Sequence, residues 1–299
     1  MLFIENDYLG ELAALIAALL WAVSSVVYSR VGLKIPPLQL NFYKGIIAIA
    51  LIVVTLILQG MTFRDISWFN LVLLAFSGVI GIGLGDTAYF SALNSLGARR
   101  TLLLETASPP IGGLLAFLFI GETLSYLAWC GILLTGIGIA WVISERNPSN
   151  NLTVSPMGIM WGILAAIAQA LGAVISRFAL INSDIDPLSS TLIRLIGGLI
   201  IVALLLCFNR DRQPIKVTQK QLISSFGIIA AAATMGTYLG IWLQQVSLKF
   251  APTGIAQTFL ATSPLFILPI VALQGEKISW RAILGAIISL SGIALMFVR

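Results

Sequence analysis

Four charged side chains stand inside long apolar stretches: Lys44, Asp86, Glu105 and Arg194. A charge at the centre of a membrane span costs about 2.5–3.5 kcal/mol on insertion scales, so each needs a reason to be there. Lys44 and Arg194 suit a carboxylate, either a ligand's or a neighbour's; the competing reading is that their long stems lift the charge to the interface. Asn41 lies one turn before Lys44 on the same helical face, and Thr191 stands in the same relation to Arg194. Asp86 follows a stripe of small residues, Gly78, Gly81 and Gly85, that invites close helix packing. Asp86 and Glu105 are candidates for proton exchange or for binding an ammonium group; a static ion pair, or exposure near a helix entrance, is the plainer alternative. Trp21, Tyr89, Trp242 and Gln257 are further candidates for a cavity wall, with Gln169, Tyr238 and Gln244, since aromatic faces hold cationic or planar groups. Ordinary packing is the plainer account of any single one. Pro109, Pro110 and Pro264 fall mid-span, where proline removes a helix hydrogen bond, so kinks and gating points are expected there.

The rest of the composition excludes several chemistries. There is no histidine, so no imidazole ligand, triad or proton shuttle. No GxxxxGK[ST] run exists to use a nucleotide, and the net charge of +5 includes no basic, aromatic-interleaved run for nucleic acid. No cofactor and no metal are expected. Cys130 and Cys207 sit in apolar runs and read as buried thiols.

Of the 299 residues, 59% are hydrophobic and only 10% charged, against roughly 25% charged in a soluble domain. The mean hydropathy is +1.01. Lipid is the solvent that fits. A span takes about 20 apolar residues, and ten such runs are found: Glu11–Ser29, Leu38–Leu58, Trp68–Ser95, Thr101–Ile120, Tyr126–Ile143, Met157–Ser176, Leu188–Phe208, Leu222–Leu248, Thr253–Leu273 and Trp280–Val298. The third and eighth exceed one span and are expected to tilt or protrude. Acidic flanks at Glu5, Asp7 and Glu11 mark the first run as a retained span, not a signal peptide. Continuous apolar runs without alternation exclude a barrel, leaving an all-α integral membrane fold.

The runs repeat. Pro37-Leu38 matches Pro187-Leu188, and in the same register Asn41, Lys44 and Ala48 match Thr191, Arg194 and Gly198. Ser29-Arg30 matches Ser176-Arg177, Ser108-Pro109 matches Ser263-Pro264, Gly121-Glu122 matches Gly275-Glu276, and Gly138-Ile139-Ala140 matches Gly292-Ile293-Ala294. The acids at 86 and 105 are unmatched: Leu239 and Leu260 take their places. The expected organisation is a five-helix repeat over 1–146, a polar linker over 147–155 and a second five-helix repeat over 156–299. Halves with an odd number of spans insert in opposite orientations, the inverted-repeat architecture of many carriers. Glu122 and Glu276 read as carboxylates serving the dipole of the helix that follows each, and Gly131, Gly136, Gly138, Gly285 and Gly292 read as packing glycines.

In this order, twice over, the Trp21-bearing first helix, the Ser-Pro pairs, the Gly-Glu pairs and the glycine-rich fifth and tenth helices resemble the drug/metabolite transporter superfamily, specifically its ten-helix EamA-type members. The resemblance covers nearly the whole chain. It implies an exporter or exchanger of amino acids, related metabolites or drugs, and so a small-molecule substrate; alternating access is expected from the inverted halves, protons are the candidate coupling ion through Asp86 and Glu105, a bacterial-type plasma membrane is the default location, and monomer and homodimer both remain open. Other readings are a multidrug or nucleotide-sugar-like exchanger, an intramembrane lipid-modifying enzyme and a channel. Orientation is contested. With the amino terminus inside, the inner loops carry Arg64, Arg177, Lys249 and Arg299, and the outer ones eleven Lys and Arg. That favours both termini outside; the resemblance implies both in the cytoplasm, and this side is adopted.

Overall fold

The computed structural model describes residues 8–31, 35–60, 66–96, 98–143, 155–181, 183–208, 219–266, 269 and 279–297. Linker residues 147–154, the Gly275-Glu276 pair and most loop cations (Lys34, Arg64, Arg146, Arg210, Arg212, Lys216, Lys277, Arg299) lie outside them. Among the described residues every regular element is helical. The protein is a multi-pass α-helical membrane protein: with no water in a bilayer core, each span must satisfy its backbone within itself.

Ten spans follow in order. They are α1 (Leu9–Val31), α2 (Pro37–Leu58), α3 (Trp68–Leu96), α4 (Ala98–Glu105 and Ser108–Ile120), α5 (Tyr126–Ile143), α6 (Pro156–Ile181), α7 (Pro187–Phe208), α8 (219–250), α9 (from Thr253–Leu260 into a turn at 263–266) and α10 (Trp280–Phe297). Pro37 and Pro187 open α2 and α7 at the first helical position, where the missing N–H is no loss and φ is already set. This accounts for the matched Pro-Leu pairs.

Packing pairs the spans across the halves. α1 lies on α8, α3 on α6, α2 on α7, α4 on α9 and α5 on α10. Exchanging the halves maps this set of pairs onto itself, which is a pseudo-two-fold relation. Opposite ends of the paired helices meet accordingly: Gly10 near the start of α1 abuts Ala251 just past the end of α8, and Gly131 near the start of α5 abuts Met296 near the end of α10. One end of the bundle therefore gathers the starts of α1, α5 and α9 with the ends of α4, α6, α8 and α10.

The interior is built from small residues. Ala14, Ala17, Ala18 and Ala22 of α1 are fully buried, while Ile57, Leu58, Phe119, Phe208 and Trp280 are exposed to the lipid side. Without a hydrophobic drive between helices in lipid, close backbone approach supplies the contact. The glycine stripe of α3 behaves as expected: Gly78 meets the Arg194 backbone, Gly81 meets Gly172 and Gly85 meets Ala168. Gly131, Gly138 and Gly292 do the same between α5 and α10, where Thr135 and Ser289 also exchange hydroxyl-to-carbonyl hydrogen bonds of 3.3 Å. Cys207 is a correction: it is exposed on α7, while Cys130 is half-buried.

Two features depart from ten plain helices. α3 and α8 each widen into a π-helical segment, Val79–Gly85 and Ala233–Leu239, at matching places. The prolines of α4 and α9 do not bend a continuous helix. α4 ends at Glu105, turns through Thr106-Ala107 and restarts at Ser108, with Pro109 and Pro110 in the first turn of the new segment. α9 likewise stops at Leu260, turns through Ala261-Thr262 and restarts at Ser263 with Pro264. Proline is at home in a first turn, so each Ser-Pro starts a helix and forces a break before it.

Candidate functional site

The two breaks meet at mid-bundle and face a cavity of about 190 Å³ between the halves. Its wall takes Trp21, Ser24 and Tyr28 from α1, Lys44 from α2, Asp86, Tyr89 and Phe90 from α3, Glu105, Ser108 and Pro109 from α4, Gln169 from α6, Arg194 from α7, Gln244 from α8, and Gln257, Leu260 and Pro264 from α9. All four charged residues singled out in the sequence are thus brought together, with Tyr89, Trp21, Gln257 and two of the three prolines.

Each position has a local cause. The π-segments leave carbonyls in search of donors, and polar side chains supply them. Asn41 Nδ2 donates to Ile82 O at 2.9 Å and to Thr87 Oγ1 at 3.0 Å, and Trp21 Nε1 donates to Gly236 O at 2.7 Å. Asn41 therefore stands behind the wall, holding α3 in shape, and is not among the residues that line the cavity. Trp242 is also displaced from its expected place: it stacks on Tyr238, with ring centroids 6.5 Å apart, against the α2–α7 cluster. Ser24, Tyr28 and Phe90 are wall residues that sequence reasoning passed over.

The charges are handled differently in the two halves. Lys44 pairs with Asp86, lies over the Phe90 ring at 5.2 Å, and is 5% exposed. Asp86 also accepts from Gln169 Nε2 at 3.2 Å. Arg194, at the matching place on α7, is 1% exposed and has no carboxylate within ion-pair distance among the described residues. Its Nη1 donates to Gln245 Oε1, and its Nε has no partner. Across the cavity, Glu105 Oε1 and Gln257 Nε2 are also buried without partners, although Ser108 Oγ donates to Gln257 Oε1 at 2.8 Å. An unmatched acceptor and two unmatched donors around one void are what a polar ligand satisfies, because burying such groups unpaired is otherwise costly.

The end of the bundle that gathers the α4, α6 and α8 termini is tied shut. Gly121 adopts φ 75°, a left-handed conformation glycine takes without strain, and so ends α4 and turns Glu122 inward. Glu122 Oε1 accepts from Arg177 Nε at 2.6 Å, and its Oε2 accepts from the Thr253 N–H, which opens α9, at 2.8 Å. Arg177 Nη1 also donates to the last carbonyls of α8, Leu248 O at 2.7 Å and Lys249 O at 2.8 Å. Glu122 thus serves the dipole of α9, in the other half, and not the α5 start for which the sequence reading cast it.

Inverted repeats around a polar crevice are found in many secondary transporters. The chain belongs to the EamA-like transporter family, whose profile matches residues 8–144 and again 156–298. It is similar to a WAT1-related chloroplastic protein of Arabidopsis thaliana, 26% identical over 186 residues (58% of this chain and 42% of that protein). It is also similar to an uncharacterized transporter of Clostridium kluyveri, 25% identical over 157 residues (50% of this chain, 48% of that one). Each match spans less than half the relative's length. One solved crystal structure superposes with a TM-score of 0.77 over 96% of both chains at 18% identity, a likeness of fold alone.

Proposed function

We propose that the protein is a secondary transporter that exports amino acids or related small metabolites by alternating access, with protons as the coupling ion. The observation that carries this is the inter-half cavity, whose lining includes residues of both signs that each keep one unpartnered polar atom, Arg194 its Nε and Glu105 its Oε1. A zwitterion answers both. The cavity of about 190 Å³ is smaller than the roughly 300–1,000 Å³ of sites for drug-sized ligands, which favours a small metabolite over a multidrug or nucleotide-sugar role. The moving bodies are the repeats over 1–146 and 156–299, joined by 147–155. One chain holds the whole cavity, so a monomer suffices. The start of α1 and the end of α10 lie toward the end of the bundle where Glu122, Arg177 and Thr253 meet, and we assign that end, and with it both termini, to the cytoplasmic face of the plasma membrane.

For coupling, Glu105 is the stronger of the two carboxyls. Asp86 is occupied by Lys44 and Gln169, whereas Glu105 lines the cavity and has a buried oxygen without a partner. Reconstituted vesicles under an imposed pH gradient, screened with labelled amino acids, test the proposal. Gradient-driven flux that falls in Glu105→Gln while binding persists supports it. Flux that persists unchanged in both Asp86→Asn and Glu105→Gln removes the proton, and no flux of any amino acid removes the substrate class.

A further inference from the structure

We infer that Gln245 is a positioning residue that keeps the charge of Arg194 uncompensated, so that the guanidinium receives the anionic end of the substrate; this rests on the transport reading above. The two halves place a cation at the same point, Lys44 on α2 and Arg194 on α7, and each draws its partner from the matching helix of its own half. α3 offers Lys44 a carboxylate, Asp86. α8 offers Arg194 an amide, Gln245. A carboxylate neutralises a buried cation, whereas an amide oxygen holds its direction and leaves its charge in place.

The surroundings fix the amide in that sense. Gln245 is fully buried, and its Nε2 donates to Ser176 Oγ at 2.7 Å and also to Ser190 Oγ. With its N–H groups spent on two hydroxyls from α6 and α7, its Oε1 is turned to Arg194, and it accepts there from Nη1 and, at 3.1 Å, from Ser176 Oγ as well. On the other flank Gly81 makes room, since a Cβ there would lie 3.2 Å from Arg194 Nη2. The guanidinium is therefore aimed and crowded on two sides, in a residue that lines the cavity and whose buried Nε has no partner. Planar N–H donors in that setting suit a carboxylate or a similar oxyanion.

The test compares binding to purified protein of leucine, leucine methyl ester and N-acetyl-leucine, read by tryptophan fluorescence through Trp21. Gln245→Glu supplies a built-in counter-charge and should weaken leucine and N-acetyl-leucine at least tenfold while the ester, which has no carboxylate, stays within threefold. Ser190→Ala frees one amide N–H and should give a smaller loss, again confined to the two carboxylate-bearing ligands; it decides the matter if Gln245→Glu does not fold. Equal weakening of all three ligands, or none, overturns the inference. Wild-type protein that binds leucine and its ester equally well leaves the transport reading standing and removes the role of Arg194. Wild-type protein that binds none of the three defeats the amino-acid reading, and the inference with it.

Discussion

Glu122→Gln should open the closed end of the bundle. The wild-type carboxylate holds Arg177 at 2.6 Å and the Thr253 N–H at 2.8 Å, and both members of the ion pair are about one-eighth exposed, at 13% and 12%. A glutamine keeps one acceptor, enough for Thr253, and turns an NH₂ toward Arg177. The loss is therefore one hydrogen bond between charged groups, worth about 1.5–3 kcal/mol. These contacts tie α4 and α6 to α8 and α9 at one end only, so in an alternating-access carrier the loss falls on the state in which that end is shut. Taking about 2 kcal/mol, and a factor of ten for each 1.4 kcal/mol, the ratio of open to shut rises about 30-fold. A cysteine at Ser247 reports it. Ser247 is fully buried, three residues beyond the cavity residue Gln244 and just before the two α8 carbonyls that Arg177 holds. In a background with Cys130→Ser and Cys207→Ser, labelling of Ser247→Cys by an impermeant maleimide should quicken by about that 30-fold factor. Labelling within twofold of the parent, at unchanged thermal stability, would show that these contacts do not hold the end shut.

Three further outcomes follow from the packing. Lys44→Ala strands Asp86 and should cost about 3–5 kcal/mol, with the double variant Lys44→Ala/Asp86→Ala recovering most of the thermal stability; a double variant no better than the single would mean the pair is not coupled. Gly78→Ala drives a Cβ into the Arg194 backbone and should cost about 1–3 kcal/mol by overpacking, whereas Gly227→Ala, with nothing within 4 Å, should be neutral or stabilising by up to about 1 kcal/mol; melting curves decide. Trp21→Phe leaves the Gly236 carbonyl of the second π-segment without its donor and should lower stability by about 1–3 kcal/mol, read by the same melting curves.

Much of the fold was legible because lipid imposes a coarse rule, about twenty apolar residues per span, that a single sequence displays directly. The repeat was legible because its punctuation is chemical: Pro37 and Pro187 start helices, and the Ser-Pro pairs restart them. What that punctuation does in space was harder to read. Pro109 and Pro264 look like kinks in a run that is apolar on both sides, and the break becomes visible only when the backbone is traced. The π-segments left no mark, since Val79–Gly85 reads as ordinary helix and its widening depends on a donor, Asn41, about forty residues away. Gln245 was passed over because a lone amide in an apolar run says nothing until three partners from two other helices are seen around it. Glu122 was placed on the wrong helix, because sequence proximity to α5 concealed that the turn at Gly121 points it to α9.

The differences between the halves say more about the site than their likeness does. Duplication delivers two of everything: two broken helices, two π-segments, two cations. A strictly symmetric product would carry either two neutralised pairs or two bare cations, and either would suit a symmetric ligand. Here Asp86 answers one cation and Leu239 replaces it in the other half, while Leu260 takes the place of Glu105 at the matching break. The cavity is therefore polar in a definite direction, with an unanswered guanidinium on the second half and an unanswered carboxyl on the first. On the proposed reading, a ligand with a carboxylate at one end and an ammonium at the other would touch both halves at once. Its full binding energy is available only when the two bodies stand at the right separation, and a carrier can use that dependence to move them together around its cargo. The ligand's blocked forms, which reach only one half, should then bind without driving exchange, so that leucine methyl ester competes for the site yet fails to accelerate counterflow of labelled leucine. Counterflow driven equally well by the ester and by leucine would show that bridging of the halves plays no part in the cycle.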